Sequence, residues 1–171
     1  MATTISGRLG AERQGTLKQI DTYFKVAKGR LKIREINGTE SELIFYRRED
    51  LKGTRYSDYS IVPLEEAEPM KEVCRKIFGV RVVVKKKRLL FLYQNARIHV
   101  DEVDRLGTFV EFEVIVNRGR NQARRLMSFL VAEFEITAGA MIGKSYSDLI
   151  LRSRKARSKI NLHEKGLAER K

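Results

Sequence analysis

Cysteine and histidine are almost missing from this chain, which has one Cys (Cys74) and two His (His99 and His163). A single cysteine excludes an internal disulfide and points to a reducing compartment. Three such residues are too few for a Cys/His metal cluster. There is no Walker loop and no dinucleotide glycine fingerprint, and neither histidine argues for a Ser-His-Asp arrangement. No apolar run approaches a membrane span, and residues 1–15 lack the hydrophobic stretch of a signal peptide. Cytoplasm is therefore the expected location, with no membrane partner. Internal repeats and low-complexity tracts are absent as well.

What the chain has is charge. At 171 residues it fits one domain with a sizeable core, and 42% hydrophobic with 33% charged residues reads as globular. Its 35 Lys and Arg against 22 Asp and Glu leave +13, which points to polyanionic partners. From Arg152 onward the composition changes: eight Lys or Arg stand against two Glu, which supplies +6 of the total. Two regions are expected, a domain over 1–151 and a basic tail over 152–171. The tail reads as a solvated or frayed helix that binds nucleic acid weakly and without sequence preference.

Residues 1–18 are polar and glycine-rich and are not read as an element. Gln19 to Val26 and Arg30 to Ile36 alternate as a hairpin, with AKG as its turn and Gly29 free to take positive φ. Glu40 to Arg48 and Arg55 to Val62 continue the meander, with Lys52 and Gly53 in the loop between them. Pro69 is expected to open a helix closed by Gly79, with Met70, Val73, Cys74, Ile77 and Phe78 as its apolar stripe. Cys74 in that stripe reads as a buried structural thiol. Three strands follow within Val82 to Val114. Asn121 is then expected to cap a helix with Ala123, Leu126, Met127, Leu130, Val131 and Phe134 inward. Gly139 and Gly143 precede SYSDLI, a short amphipathic segment.

The strands carry an unusual row. Lys32, Arg34, Arg48, Lys86, Arg88 and Arg97, with Asp101, Glu111 and Glu113, fall at one parity along their strands. Such charges could face water or pair across a sheet. They could equally line the inside of a closed barrel, where cations hold phosphate and carboxylates hold a metal. His99, alone on its strand, is more often a packed or hydrogen-bonded residue than a ligand.

QIDTYFKVAKGRLKIRE, ELIFYRRED, RYSDYSI, VVVKKKRLLFL, ARIHVDEVDRLGTFVEFE and KSYSDLI, in this order, resemble the CYTH superfamily, the triphosphate tunnel proteins. DTYF, GRLKIRE and LGTFVEFE are most similar to its class IV adenylate cyclase branch. The resemblance covers roughly residues 9–150. It implies an α+β fold, an antiparallel tunnel of about eight strands with helices packed outside. By position it implies that Arg34, Arg48, Lys86, Arg88 and Arg97, with Lys32 beside them, bind triphosphate. It assigns Mg²⁺ or Mn²⁺ to Glu111 and Glu113, and a catalytic place near metal or nucleotide to Asp101. The implied activity is conversion of ATP to cyclic AMP and pyrophosphate by a homodimer. A thiamine or inorganic triphosphatase and a catalytically impaired polyanion binder are the alternatives. The family's Glu-x-Glu-x-Lys strand has no counterpart in this sequence. Its lack implies either an upstream segment that supplies the strand or an altered activity, a tunnel with two unpaired edges that invites association, and little or no cyclase turnover by these 171 residues.

Overall fold

The structure is a computed structural model that describes residues 5, 7, 9–48 and 57–155, with the backbone alone at residue 48. Seven strands form one antiparallel sheet: β1 (Glu12–Phe24), β2 (Arg30–Ile36), β3 (Glu40–Arg48), β4 (Ser57–Leu64), β5 (Val80–Tyr93), β6 (Ala96–Val103) and β7 (Gly107–Val114). Helix α1 (Ala67–Phe78) lies between β4 and β5, and α2 (Arg120–Glu133) follows β7. A last helix, α3, covers 146–155. The spatial order is β4-β3-β2-β1-β5-β6-β7. The fold is therefore α+β, as expected, but among the described residues the sheet is not closed: β4 and β7 are its two edges.

Alternation sets the two faces. On the outer face, Phe24 and Ile33 pack with Cys74 beneath α1, and Phe91 and Ile98 pack with Leu126 and Leu130 of α2. The inner face holds a third apolar cluster, in which Tyr23, Tyr46, Val82, Val84 and Val103 meet Ile150 of α3. Burial of Cys74 raises its thiol pKa, as suits a structural residue.

Several boundaries differ from the sequence expectation. β1 begins at Glu12, seven residues earlier than expected. Its polar stretch is held by pairing with β5, with a register shift between Arg13 and Gly15, and Gly15 takes φ 121°. Residues 5, 7 and 9 are helical, and Ile5 is buried in the cluster beneath α2. β1 ends at Phe24, so the loop to β2 is longer than AKG. Gly29 does take φ 73°, and a Cβ there would meet the Phe45 ring and the Tyr46 carbonyl at 2.9 Å.

Helix α1 begins two residues before Pro69, which sits in the first turn where backbone N–H groups have no helical acceptor. Gly79 closes it, donating to the Arg75 carbonyl. Of its apolar stripe, Cys74 is buried and Met70 packs against the sheet, while Val73, Ile77 and Phe78 stand exposed. The N-cap of α2 is Gly119, not Asn121, and no side chain caps that end. Its stripe is as expected, with Ala123, Leu126 and Leu130 buried. Lys52, Gly53 and Arg55 lie outside the described residues, as do 156–171. α3 runs past the expected boundary at 151. Among the described residues no helix is long and apolar enough to cross a membrane.

Candidate functional site

The row of charges sits on the inner face, and much of it is buried. On β5, Val82, Val84, Lys86 and Arg88 point inward, while Arg81, Val83, Lys85 and Lys87 point out. On β6, His99, Asp101 and Val103 are buried at the same parity. Antiparallel register then sets direct neighbours: Asp21 opposite Arg34, Gln19 opposite Lys86, Arg88 opposite Asp101, His99 opposite Glu111 and Arg97 opposite Glu113. Side chains directly opposite one another interact most strongly.

Two buried carboxylates organise the row. Asp21 accepts from Arg34 through both oxygens, at 2.8 Å from Nε and 3.0 Å from Nη2, and from Lys32 Nζ at 3.0 Å. Asp101, with no solvent exposure, accepts from Arg88 Nε at 2.7 Å and Nη2 at 2.6 Å, with Lys86 Nζ at 3.6 Å. Each carboxylate is thus shared by two cations. Aromatic rings supply part of the remaining environment. Lys32 lies over Tyr23 and Tyr46, and Lys86 over Tyr146, at 5.4–5.9 Å from the ring centroids.

Burial acts against these charges and their partners act for them. Burial alone would raise Asp21, but Lys32 and Arg34 hold it well below the usual carboxylate range. Burial pushes Lys32 down to about 7, more than Asp21 can restore, with Arg34 and Lys86 adding to the shift. Lys86 is lowered by burial and by Arg88. Arg34 and Arg88 are raised despite burial, by Asp21 in one case and by Asp101 and Glu111 in the other. Cations therefore crowd one another in the site, and Lys32 is the group most weakly held in its charged form.

Toward β7 the row opens to solvent. Glu111 accepts from Arg88 Nη2 at 2.7 Å, and its side chain keeps 42% exposure. Burial would raise its pKa, but His99, Arg88 and Lys86 lower it. Glu113 accepts from Arg97 Nη1 at 3.4 Å, and both are partly exposed. Among the described residues no three His, Cys, Asp or Glu side chains are grouped as a metal cage. Hard oxygen donors are still present. Mg²⁺ is commonly held by one or two carboxylates together with substrate phosphates, and the exposed Glu111 and Glu113 beside a cation row fit that pattern.

α3 covers the other end. Ser145 and Asp148 frame its start: Ser145 Oγ donates to Asp148 Oδ2 at 2.6 Å and accepts from the Asp148 backbone N–H at 3.3 Å, which caps the helix. Asp148 also accepts from Arg30 Nη2 at 3.0 Å and Arg81 Nη2 at 2.9 Å. The Tyr146 ring tilts against Phe109 at 5.1 Å, and burial, Glu111 and Asp101 raise its hydroxyl pKa.

The structure thus brings Lys32, Arg34, Lys86, Arg88 and Asp101 together and sets Glu111, Glu113 and Arg97 at the exposed margin. Arg48 ends β3, opposite Ser57, and its side chain lies outside the described set. Asp21, Gln19, Arg30 and Asp148 are additional site residues. Gln19, Asp21 and Tyr23 alternate, so parity alone could have marked Asp21. Its link to Arg34 needed the β1–β2 register.

A profile of the CYTH domain matches residues 2–130. A search of curated proteins returned no match. Among solved structures, the PH1012 protein of Pyrococcus horikoshii superposes with a TM-score of 0.76 at 24% identity, over 86% of this chain and 90% of that one. A Pyrococcus furiosus protein gives 0.74 at 22% identity, over 84% and 88%. A Vibrio parahaemolyticus protein provisionally assigned as an adenylate cyclase gives 0.68 at 18% identity, over 86% and 88%. At these identities the likeness is one of fold.

Proposed function

Because the chain belongs to the CYTH domain family, we propose that its inner face binds a nucleoside triphosphate or another triphosphate together with Mg²⁺ or Mn²⁺. The single observation that carries this is the charge ratio in the buried row. Among the described residues of that row, four cations stand against three carboxylates: Lys32 and Arg34 share Asp21, Lys86 and Arg88 share Asp101, and Arg88 also bonds the partly exposed Glu111. Buried cation surplus is costly and is weak as a device for stability. A polyphosphate offers the missing negative charge on adjacent groups, and the planar fork of Arg34 and Arg88 suits phosphate oxygens.

In this reading Lys32, Arg34, Arg48, Lys86, Arg88 and Arg97 hold the substrate. Asp101 acts by orienting Arg88, since it is wholly buried beneath that guanidinium. Asp21 does the same for Arg34. Glu111 and Glu113 are the residues that would hold the divalent cation, which supplies charge neutralisation on the phosphates. The proposed activity is of the class IV adenylate cyclase type. The ribose 3′ oxygen bonds to the α-phosphorus, the bond from that phosphorus to the β-bridging oxygen breaks, pyrophosphate leaves, and the hydroxyl proton passes to solvent. The alternatives use the same binding face. With water attacking the γ-phosphorus, the protein is a thiamine or inorganic triphosphatase. With Glu111 and Glu113 too few among the described residues to hold the divalent cation, it is an impaired polyanion binder. The proposed assembly is a homodimer, supported by the exposed Tyr59, Ile61 and Val62 on edge strand β4.

Product analysis with ATP, thiamine triphosphate and inorganic triphosphate, each with Mg²⁺ or Mn²⁺, tests this reading alongside a binding titration. Saturable binding of at least one of the three is expected, with slow or no cyclic AMP from the 171 residues alone. Cyclic AMP with pyrophosphate assigns the cyclase, and orthophosphate assigns the triphosphatase. Failure of all three to bind overturns the reading.

A further inference from the structure

Three buried side-chain polar atoms among the described residues have no hydrogen-bond partner: Gln19 Oε1, His99 Nδ1 and Gln122 Oε1. His99 is the one that faces a proposed metal ligand. It sits in the middle of β6, is 4% exposed, and lies directly opposite Glu111 on β7. Its Nδ1 is 3.8 Å from Glu111 Oε2, beyond hydrogen-bond distance. That oxygen instead accepts from Arg88 Nη2, the same nitrogen that donates to Asp101. Glu111 therefore stands between two donors, hydrogen-bonded to Arg88 and drawn to His99 only from beyond hydrogen-bond distance. A histidine whose task was only to fill the sheet would cost less with its nitrogen paired, or replaced by an apolar side chain.

We infer that His99 is the positioning residue for Glu111 in the ligand-bound protein, taking over the Glu111 carboxylate when Arg88 turns to the polyphosphate. The inference rests on the triphosphate reading above. Once Arg88 bonds a phosphate oxygen, Glu111 Oε2 loses its donor, and Nδ1–H of His99 is an unused replacement. Closing from 3.8 Å to a hydrogen bond of about 2.9 Å requires a shift of roughly 1 Å. Glu111 is the side that moves, because it is half exposed while His99 is enclosed by the sheet. Held by His99 through one oxygen, Glu111 keeps the other for a divalent cation, so anion binding and metal binding are coupled through one carboxylate. His99 touches neither substrate nor metal in this role. It replaces the restraint that Arg88 gives up.

The test is calorimetric, with inorganic tripolyphosphate as the probe, in excess EDTA and again in saturating Mg²⁺, for wild type, His99→Leu, His99→Asn and His99→Gln. The readout is the ratio of the two dissociation constants. His99→Leu should weaken metal-free binding by a few-fold, since solvent reaches the half-exposed Glu111 in its place, and should in addition reduce the Mg²⁺-dependent gain by about tenfold, the usual size of an outer-shell effect. The Asn amide nitrogen falls where Nδ1 was, so His99→Asn should recover most of the gain, whereas His99→Gln reaches the Nε2 position and should not. Unfolding midpoints measured in parallel should show His99→Leu no less stable than wild type, since it loses an unpaired buried nitrogen. If His99→Leu keeps the full Mg²⁺ gain, or loses metal-free and Mg²⁺ affinity equally, the inference is overturned while the triphosphate reading stands. Wild type that binds no tripolyphosphate under either condition overturns that reading, and this inference with it.

Discussion

At the scale of single residues, Lys32 is the most informative. Its ammonium is buried, hydrogen-bonded to Asp21 and flanked by Arg34 and Lys86, and its pKa sits near 7 where an ordinary lysine titrates above 10. A lysine lowered on folding costs stability below its folded pKa, and that cost fades as pH rises from about 7 through the ordinary lysine range. Binding a polyanion reverses the balance and favours the charged form. Tripolyphosphate binding near pH 8 should therefore be accompanied by proton uptake that is missing in Lys32→Met. Calorimetry of both proteins in two buffers of different ionisation heat measures the difference. Equal uptake by the two would show that Lys32 is not charged by the ligand. Lys32, Arg34, Lys86 and Arg88 were legible in the sequence, because parity is a property of one strand. Asp21 as their partner was not, because pairing is a property of two. His99 was legible only as a lone histidine, since its unpaired nitrogen depends on where Glu111 and Arg88 point.

At the scale of elements, β2 and β3 begin and end where alternation and turn glycines place them, and β1 does not. Its first half reads as polar loop and is strand only because β5 pairs with it along its length. α3 is the clearest case of an element whose weight in the fold exceeds its signal. Six residues of weak amphipathicity, SYSDLI, begin a helix that buries Ile150 against Tyr23 and Tyr46 and ties to β2 and β5 through Asp148. Asp148 is held below the usual carboxylate range by Ser145 and Arg30 against partial burial, so its contribution is present above that range and is lost as pH falls. Asp148→Ala should cost about 2 kcal/mol, from the lost charged hydrogen bonds to Arg30 and Arg81. Urea unfolding measures it, and an unchanged midpoint at constant slope would mean that α3 is held by apolar packing alone. Gly29→Ala should likewise cost about 1–3 kcal/mol, because the left-handed backbone and the Phe45 ring both oppose a Cβ. A midpoint unchanged by that substitution would show that the loop shifts freely.

At the scale of the whole molecule, two sources of positive charge differ in character. The inner face has fixed, paired cations in register, whereas 156–171 adds charge by composition. Deleting 156–171 should leave tripolyphosphate affinity within about threefold, roughly 0.7 kcal/mol, while reducing any weak, salt-steep binding of nucleic acid. Loss of tripolyphosphate binding on that deletion would move the site to the tail. That the sheet has open edges was legible in the missing Glu-x-Glu-x-Lys strand, since a tunnel without its first strand keeps two unpaired edges; that they are β4 and β7 was not, since the order of strands depends on which ones meet.

The central claim is that buried cations on one face of the sheet await a polyphosphate, and titration of tripolyphosphate into wild type, Lys86→Met and Arg88→Gln tests it most directly. Each substitution removes one of the two cations on Asp101, and unfolding midpoints confirm that the variants are folded. The account predicts saturable binding by wild type, weakened about ten- to hundredfold by Arg88→Gln and less by Lys86→Met. Binding of equal strength by all three folded proteins, or none by wild type, would contradict it.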